Sequence, residues 1–131
     1  KQIMNDSKNP LSPHIQIYRW QVSSLISIIH RITGILNLIG LIFICAWISS
    51  AGISENLFEC FSVFLKNFIG KFILIGFTWS MTYHLLSGIR HFIWDLGYGY
   101  EIKTANLSGI IVVLGSLVLT TILWMIGKGL I

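Results

Sequence analysis

One stretch of this sequence collects titratable and small polar residues directly after an apolar run. Residues 84–95 read HLLSGIRHFIWD. On an α-helix, residues three, four or seven positions apart share a face. His84, Gly88, His91 and Asp95 follow steps of four, three and four, so they form one stripe along a helix. Such a stripe has a chemical use only where another polar surface faces it.

A matching stripe occurs earlier in the chain. Ser27, Arg31 and Gly34 lie four and three residues apart, and His30 stands beside them. Both stripes run toward the same end of the helices that carry them. We therefore predict a polar pocket between the two helices at that end.

His84 is the deepest titratable residue of the pocket. It precedes Arg90 by six residues. Along the helix axis it therefore lies about 9 Å further than Arg90 from the end that carries Asp95. A buried histidine is costly unless its ring nitrogens are bonded or coordinated, and a neutral imidazole is a good axial ligand for haem iron. Gly88, one turn on, would let a flat macrocycle approach closely. Hydrogen bonding of His84 to a neighbouring helix and close helix packing at Gly88 remain open.

A second iron ligand would have to come from elsewhere. His91 lies on the same face as His84, so the two cannot clamp one iron from opposite sides. His30 on the first helix and a partner chain both remain possible sources.

Arg31 and Ser27 offer a permanent positive charge and a hydroxyl donor. Together they suit a carbonyl oxygen that becomes negative on reduction, or an anionic propionate. A snorkelling arginine and a serine bonded to its own helix are the alternatives. Further titratable residues near this end could relay protons, bind propionates or simply be solvated: Asp95, Glu101, His30 and His91.

The elements that must position these residues are membrane helices. The chain has 131 residues, 54% of them hydrophobic and only 11% charged, whereas soluble domains carry about 25% charged residues. Three stretches nearly free of charge are long enough to cross a bilayer. We predict an all-α integral membrane fold with an N-terminal polar arm over residues 1–20 and one three-helix domain over 21–131. The helices are expected at about 21–53, 68–93 and 106–127, and an amphipathic segment, Leu57 to Leu65, in the first loop.

Charge bias orients the chain. Three crossings place the N-terminal arm and the second loop on one side, with six basic residues against three on the other. Basic residues favour the inner side, so the N-terminus is expected in the cytoplasm or the mitochondrial matrix. The net charge of +4 reports this topology and does not imply nucleic-acid binding.

Several function classes lack their signatures. The chain has no nucleotide-binding glycine loop, no CxxC pair and no nucleophile–base arrangement. Cys45 and Cys60 indicate packing residues. The predicted spans contain no acidic residue, which argues against a proton-coupled transporter. Redox chemistry at the stripes would therefore depend on a bound cofactor.

Two blocks of the sequence resemble those of a known family. PLSPHIQIYRWQVSSLISIIHRITG (10–34) is similar to its Pro-Leu-Ser-Pro-His opening and Ser-Ile-x-His-Arg-x-Thr-Gly signature. HLLSGIRHFIWDLGYG (84–99) is similar to His-x-x-x-Gly-Ile-Arg-His-x-x-Trp-Asp. The family is the cytochrome b membrane anchor of succinate dehydrogenase, respiratory complex II. The family commonly has a basic residue before the first block, and this chain has Asn9 there. This difference concerns the contacts of the N-terminal arm and not the site.

The resemblance implies an anchor that pairs with a second small anchor and holds an iron–sulfur and a flavoprotein subunit at the inner face. Electrons from succinate would reach ubiquinone at the membrane. Ser27 and Arg31 would belong to the quinone site, and His84 would be one axial ligand of haem b, with the second from the partner anchor. His30, Arg31 and His91 would lie near the haem propionates, and Asp95 near the proton supply. An anchor of quinol:fumarate reductase and a purely structural anchor without haem are the remaining alternatives.

Overall fold

The structure is a computed structural model, and it describes residues 20–130. These residues form four helices: α1 (Val22–Ile53), α2 (Glu55–Lys66), α3 (Phe68–Asp95) and α4 (Ile102–Leu130). The N-terminal arm expected over residues 1–20 lies, except for its last residue, outside the described part of the chain.

Three of the helices are long and apolar enough to cross a membrane: α1, α3 and α4 as far as Lys128. The 32 residues of α1 correspond to about 48 Å of helix, more than the roughly 30 Å of a hydrocarbon core. Part of α1 therefore extends past the core, or the helix is tilted within it. The all-α fold with three candidate spans is confirmed.

The amphipathic segment expected in the first loop is a complete helix. α2 is 12 residues long and folds back on the end of α1. Trp47 of α1 stacks on Phe58 with ring centroids 5.9 Å apart, and Phe43 meets Phe61 edge-on at 5.6 Å. These aromatic contacts give α2 a packed apolar face, which the sequence alone did not define.

α2 and α3 are joined by a tight corner. The Asn67 side chain caps α3 by accepting hydrogen bonds from the backbone N–H groups of Ile69 and Gly70, at 2.7 and 3.1 Å. A Cβ on Gly70 would clash with the carbonyl oxygen of Phe64. Only glycine fits this approach of the two backbones, so the corner between α2 and α3 is fixed by sequence.

α3 is the central helix and packs against both α1 and α4. The core consists of Ile26, Tyr83 and Val112, one from each spanning helix. Tyr83 is fully buried, and its hydroxyl donates to the Ile26 carbonyl at 3.1 Å. Ser80 donates to Asn37 Oδ1 at 2.8 Å, which adds a second polar link between α1 and α3.

A polar seam joins α3 to α4. Trp79 Nε1 donates to Ser116 Oγ at 3.1 Å, and the hydroxyls of Thr82 and Thr120 are 2.9 Å apart. Hydrogen bonds between membrane helices contribute about 0.6 kcal/mol each on average. Several such bonds along one interface hold α4 in a defined rotation relative to α3.

Two glycines with positive φ make the turn after α3. Gly97 (φ 88°) and Gly99 (φ 81°) adopt the left-handed region that favours glycine. The N–H of Gly97 bonds the Trp94 carbonyl at 2.8 Å, and that of Tyr98 bonds the Ile93 carbonyl at 3.2 Å. These bonds close the last turn of α3 and reverse the chain within a few residues.

α4 begins earlier than expected. The predicted start near residue 106 treated the polar residues after Tyr100 as loop, but the helix begins at Ile102. The Ala105 N–H donates to the Glu101 carbonyl at 2.8 Å, so those polar residues form the first helical turn. The turn at Gly97 and Gly99 reverses the chain within a few residues, so the loop between α3 and α4 is shorter than expected.

Candidate functional site

Three histidines form a column between α1 and α3. His30 of α1 stacks on His84 of α3, with ring centroids 4.1 Å apart and an interplanar angle of 12°. His30 also lies parallel to His91, at 6.2 Å and 13°. The structure therefore brings His30, which was predicted to stand beside the stripe on α1, together with two histidines of the stripe on α3, and His30 lies between them.

The Nδ1 atom of His84 is bonded to the backbone of α1. It lies 3.2 Å from the His30 carbonyl oxygen and 3.3 Å from Thr33 Oγ1, and the Thr33 hydroxyl donates to the same carbonyl at 2.9 Å. A carbonyl only accepts hydrogen bonds, so Nδ1 carries the proton. In the neutral ring the Nε2 lone pair is then free, and no hydrogen bond to Nε2 is formed within residues 20–130.

Small residues admit the His84 ring between the helices. A Cβ on Gly34 would lie 3.2 Å from Cε1 of His84, which is tighter than ordinary contact. Thr33 is only 1% exposed and closes the site from the same helix. A Cβ on Gly88 would meet nothing within 4 Å among the described residues, so the stripe beyond His84 borders open space.

One buried nitrogen in the column is unpaired. Nδ1 of His30 is inaccessible and has no hydrogen-bond partner within residues 20–130. Buried polar atoms are nearly always hydrogen-bonded. Nδ1 of His30 is therefore an exception among the described residues.

Ser27 and Arg31 occupy an exposed face of α1. Neither side chain forms a hydrogen bond or ion pair with the described residues. They stand one helical turn apart, about 6 Å along the axis, and do not join the contact between α1 and α3. A hydroxyl and a guanidinium on one helix face are thus both available to a ligand or to another chain.

The two acidic candidates lie at the ends of helices. Asp95 is the last residue of α3, one turn beyond His91, and Glu101 directly precedes α4. Both side chains are exposed. They stand at the same end of the bundle as His91.

The described residues form no multidentate metal site. No three side chains among their histidines, cysteines and acids are grouped so as to hold a metal ion. Cys45 and Cys60 are exposed free thiols.

Sequence reasoning missed the structural role of Arg90, which it counted only as a basic residue of the inner side. Its side chain is 6% exposed. Nε donates to Ser108 Oγ at 2.9 Å, and a terminal nitrogen donates to the Ala105 carbonyl at 2.8 Å. The guanidinium also lies 3.9 Å from the ring centroid of Trp94. The four-residue spacing of arginine and tryptophan on one helix was the available signal.

The chain is similar to known membrane proteins over most of its length. The family described as "Succinate dehydrogenase/Fumarate reductase transmembrane subunit" matches residues 5–123. Succinate dehydrogenase cytochrome b556 subunits are 39% identical over 91% of this chain in Paracoccus denitrificans and 40% over 90% in Rickettsia prowazekii, covering 92% of each relative. The mitochondrial cytochrome b560 subunit of Mus musculus is 37% identical over 82% of this chain and 64% of its own length. With three candidate spans and a match over nearly its full length, the chain belongs to the transmembrane subunits of succinate dehydrogenase and fumarate reductase.

Proposed function

We propose that this chain is the haem b-binding and quinone-site anchor of a succinate:quinone oxidoreductase. In this role it passes electrons that originate from succinate to ubiquinone, and it is not catalytic alone. The observation that carries the proposal is the bond from His84 Nδ1 to the His30 carbonyl. This bond fixes the tautomer in which Nε2 can coordinate iron, a common arrangement for ligating histidines.

The residues around His84 fit a haem. The open space beside Gly88 leaves room for the macrocycle along α3. The exposed ring of His91 and the guanidinium of Arg31 offer donors for the propionates, and His30 lies beside His91 in the same column. The relatives named as cytochromes b support the same assignment. When bound, haem b would supply a one-electron redox centre, held by His84 of this chain and by a residue of a partner anchor chain.

Ser27 and Arg31 serve the quinone. The Ser27 hydroxyl donates a hydrogen bond to a quinone carbonyl oxygen, and the Arg31 guanidinium stabilises the negative charge that this oxygen gains on reduction. Both side chains are exposed and unpaired within the described residues, which is what a site completed by other subunits requires. Asp95 and Glu101 supply protons from the adjoining surface.

The proposed partners follow from this role. A second small anchor covers the exposed polar face of α1, and the iron–sulfur and flavoprotein subunits attach at the end that carries His91 and Asp95. The membrane is the bacterial cytoplasmic or the mitochondrial inner membrane, with the N-terminus in the cytoplasm or matrix. The many exposed aliphatic side chains of the spans are consistent with contact to lipid and a partner chain.

A reduced-minus-oxidised absorption spectrum of the purified complex tests the proposal. Replacing His84 by Leu should abolish or strongly shift the b-type signal, because the axial ligand is lost. Leu85→Ala is the matched control, since Leu85 is the exposed neighbour at the same depth. An unchanged signal in His84→Leu would refute the ligand assignment, and the absence of a signal in the wild type would leave an anchor without haem.

The family also includes fumarate reductase anchors. All of the relatives named above are succinate dehydrogenase subunits, which favours the succinate-oxidising direction. Turnover of the purified complex in both directions with ubiquinone and with a low-potential quinone decides between them.

A further inference from the structure

A groove of about 890 Å³ lies between the beginning of α3 and the end of α4. It is at the opposite end of the bundle from His91 and Asp95. From α3 it is lined by Lys71, Ile75 and Thr78, and from α4 by residues that include Leu123, Trp124 and Lys128. We call it the α3/α4 groove. No role in the proposed function involves it.

The mouth of the groove is positively charged. Lys71 and Lys128 both line it, both are exposed, and neither forms an ion pair with any of residues 20–130. Lys71 stands in the first turn of α3, and Lys128 stands in the last turn of α4. The partial charges of these two helix ends have opposite signs, so the positive charge of the mouth is that of the lysines. Two unpaired ammonium groups on opposite walls favour an anion between them.

The interior of the groove is apolar in character. Ile75, Leu123 and Met125 contribute hydrocarbon surface. The polar groups in the wall already bond within the protein: Trp124 Nε1 donates to Thr78 Oγ1 at 3.3 Å, and Thr78 donates to the Leu74 carbonyl at 2.8 Å. The inner walls thus favour an alkyl chain over a polar ligand.

The length of the groove allows one ligand to contact both the lysines at its mouth and its apolar inner walls. Seven residues separate Lys71 from Thr78 along α3, which is about 10 Å of helix. A ligand with its anion at the lysines therefore has to continue as an apolar chain along the wall toward Thr78. Because both lysines stand near the ends of spanning helices, the mouth of the groove faces the headgroup region of a bilayer.

We propose that the α3/α4 groove binds one anionic phospholipid. Its phosphate lies between Lys71 and Lys128, and an acyl chain packs against Ile75 and Leu123. The lipid fills the cleft between α3 and α4 at the end of the bundle beyond their apolar contacts around Tyr83 and Val112. It thereby stabilises the end of the bundle remote from the histidine column.

The test uses the complete complex, purified in mild detergent, stripped of lipid and titrated with dioleoylphosphatidylglycerol under native mass spectrometry. The wild type should bind one tight copy in the groove. At about 1 kcal/mol per lysine, Lys71→Gln and Lys128→Gln should each weaken binding about fivefold, and the double variant roughly 25-fold. Lys66→Gln is the charge-matched control, because Lys66 ends α2 and does not line the groove.

A second variant tests the interior without changing the charge. Ile75→Trp narrows the groove and should displace the lipid, while the single lysine variants decide the question if the double variant fails to assemble. Equal affinity of the wild type for dioleoylphosphatidylcholine would overturn the assignment of the lysines. Displacement of the lipid by decylubiquinone at equal concentration would overturn the lipid in favour of a quinone. Binding unaffected in all of the lysine variants would place the lipid elsewhere.

Discussion

The ring of His84 stacks on the ring of His30 with the centroids 4.1 Å apart, and Nδ1 of His84 lies 3.2 Å from the backbone carbonyl oxygen of His30. One residue of α1 thus fixes both the plane and the tautomer of a histidine on α3. Because this carbonyl belongs to the backbone of α1, the orientation and tautomer of His84 depend only on the position of α1 relative to α3. Tyr83 and Ser80 fix that position through bonds to Ile26 and Asn37.

Gly34→Ala should disturb the proposed haem ligand. The new Cβ would lie 3.2 Å from Cε1 of His84, so the ring has to move by a few tenths of an ångström and loses its alignment with the His30 carbonyl. We expect a shifted b-type spectrum and reduced haem content in the purified complex. Gly76→Ala is the matched control, since a Cβ there meets nothing within 4 Å. Identical spectra for both variants would show that the contact at Gly34 has no influence on the haem.

Thr33→Val should weaken haem retention. The substitution keeps the shape of a side chain that is only 1% exposed, but it removes the hydroxyl near His84 Nδ1. Loss of a group that orients a metal ligand typically costs 10–100-fold in affinity. Since the His30 carbonyl remains as an acceptor, we expect about tenfold, measured as haem loss to apomyoglobin.

The matched control for that change is Thr121→Val. Thr121 is exposed and donates only to the Leu117 carbonyl of its own helix, at 2.9 Å. Its removal should leave haem transfer unchanged. Equal rates of haem loss for Thr33→Val and wild type would mean that the carbonyl alone orients His84.

Arg31→Leu should impair quinone reduction selectively. Arg31 is exposed and has no partner among the described residues, so the change should spare the fold. Removing one donor to a developing negative charge typically costs 10²–10³ in rate. We expect a loss of about that size in succinate:ubiquinone activity, with succinate oxidation by an artificial acceptor retained. Lys103→Leu controls for the loss of a positive charge at the same end, and unimpaired quinone reduction in Arg31→Leu would exclude the proposed role.

Much of the fold can be predicted from the sequence. The membrane spans are located by local composition, and the polar stripes are located by the helical spacing of their residues. Both properties predicted three crossings and a polar pocket between the first two spans, whereas the stacking of His30 on His84 became visible only in the structure. The seam bond between Trp79 and Ser116 did not follow, because the rotation of α4 against α3 depends on packing along both helices. The early start of α4 was missed for a related reason, since it depends on how sharply the glycines turn the chain. The positions of Ser27 and Arg31 on α1 were predicted, but what covers them is not encoded in one chain.

Arg90→Leu should destabilise the complex rather than alter its chemistry. The Arg90 side chain ties α3 to the start of α4 through Ser108 and the Ala105 carbonyl, and it stacks on Trp94. Hydrogen bonds from a charged group contribute about 1.5–3 kcal/mol, so the loss should lower the temperature of thermal inactivation. Arg90→Lys should rescue little, because an ammonium group lacks the planar fork that reaches both acceptors. If Arg90→Leu instead assembled with normal thermal stability but lost quinone reduction, Arg90 would belong to the quinone site, and the separation of its structural role from that of Arg31 would be wrong.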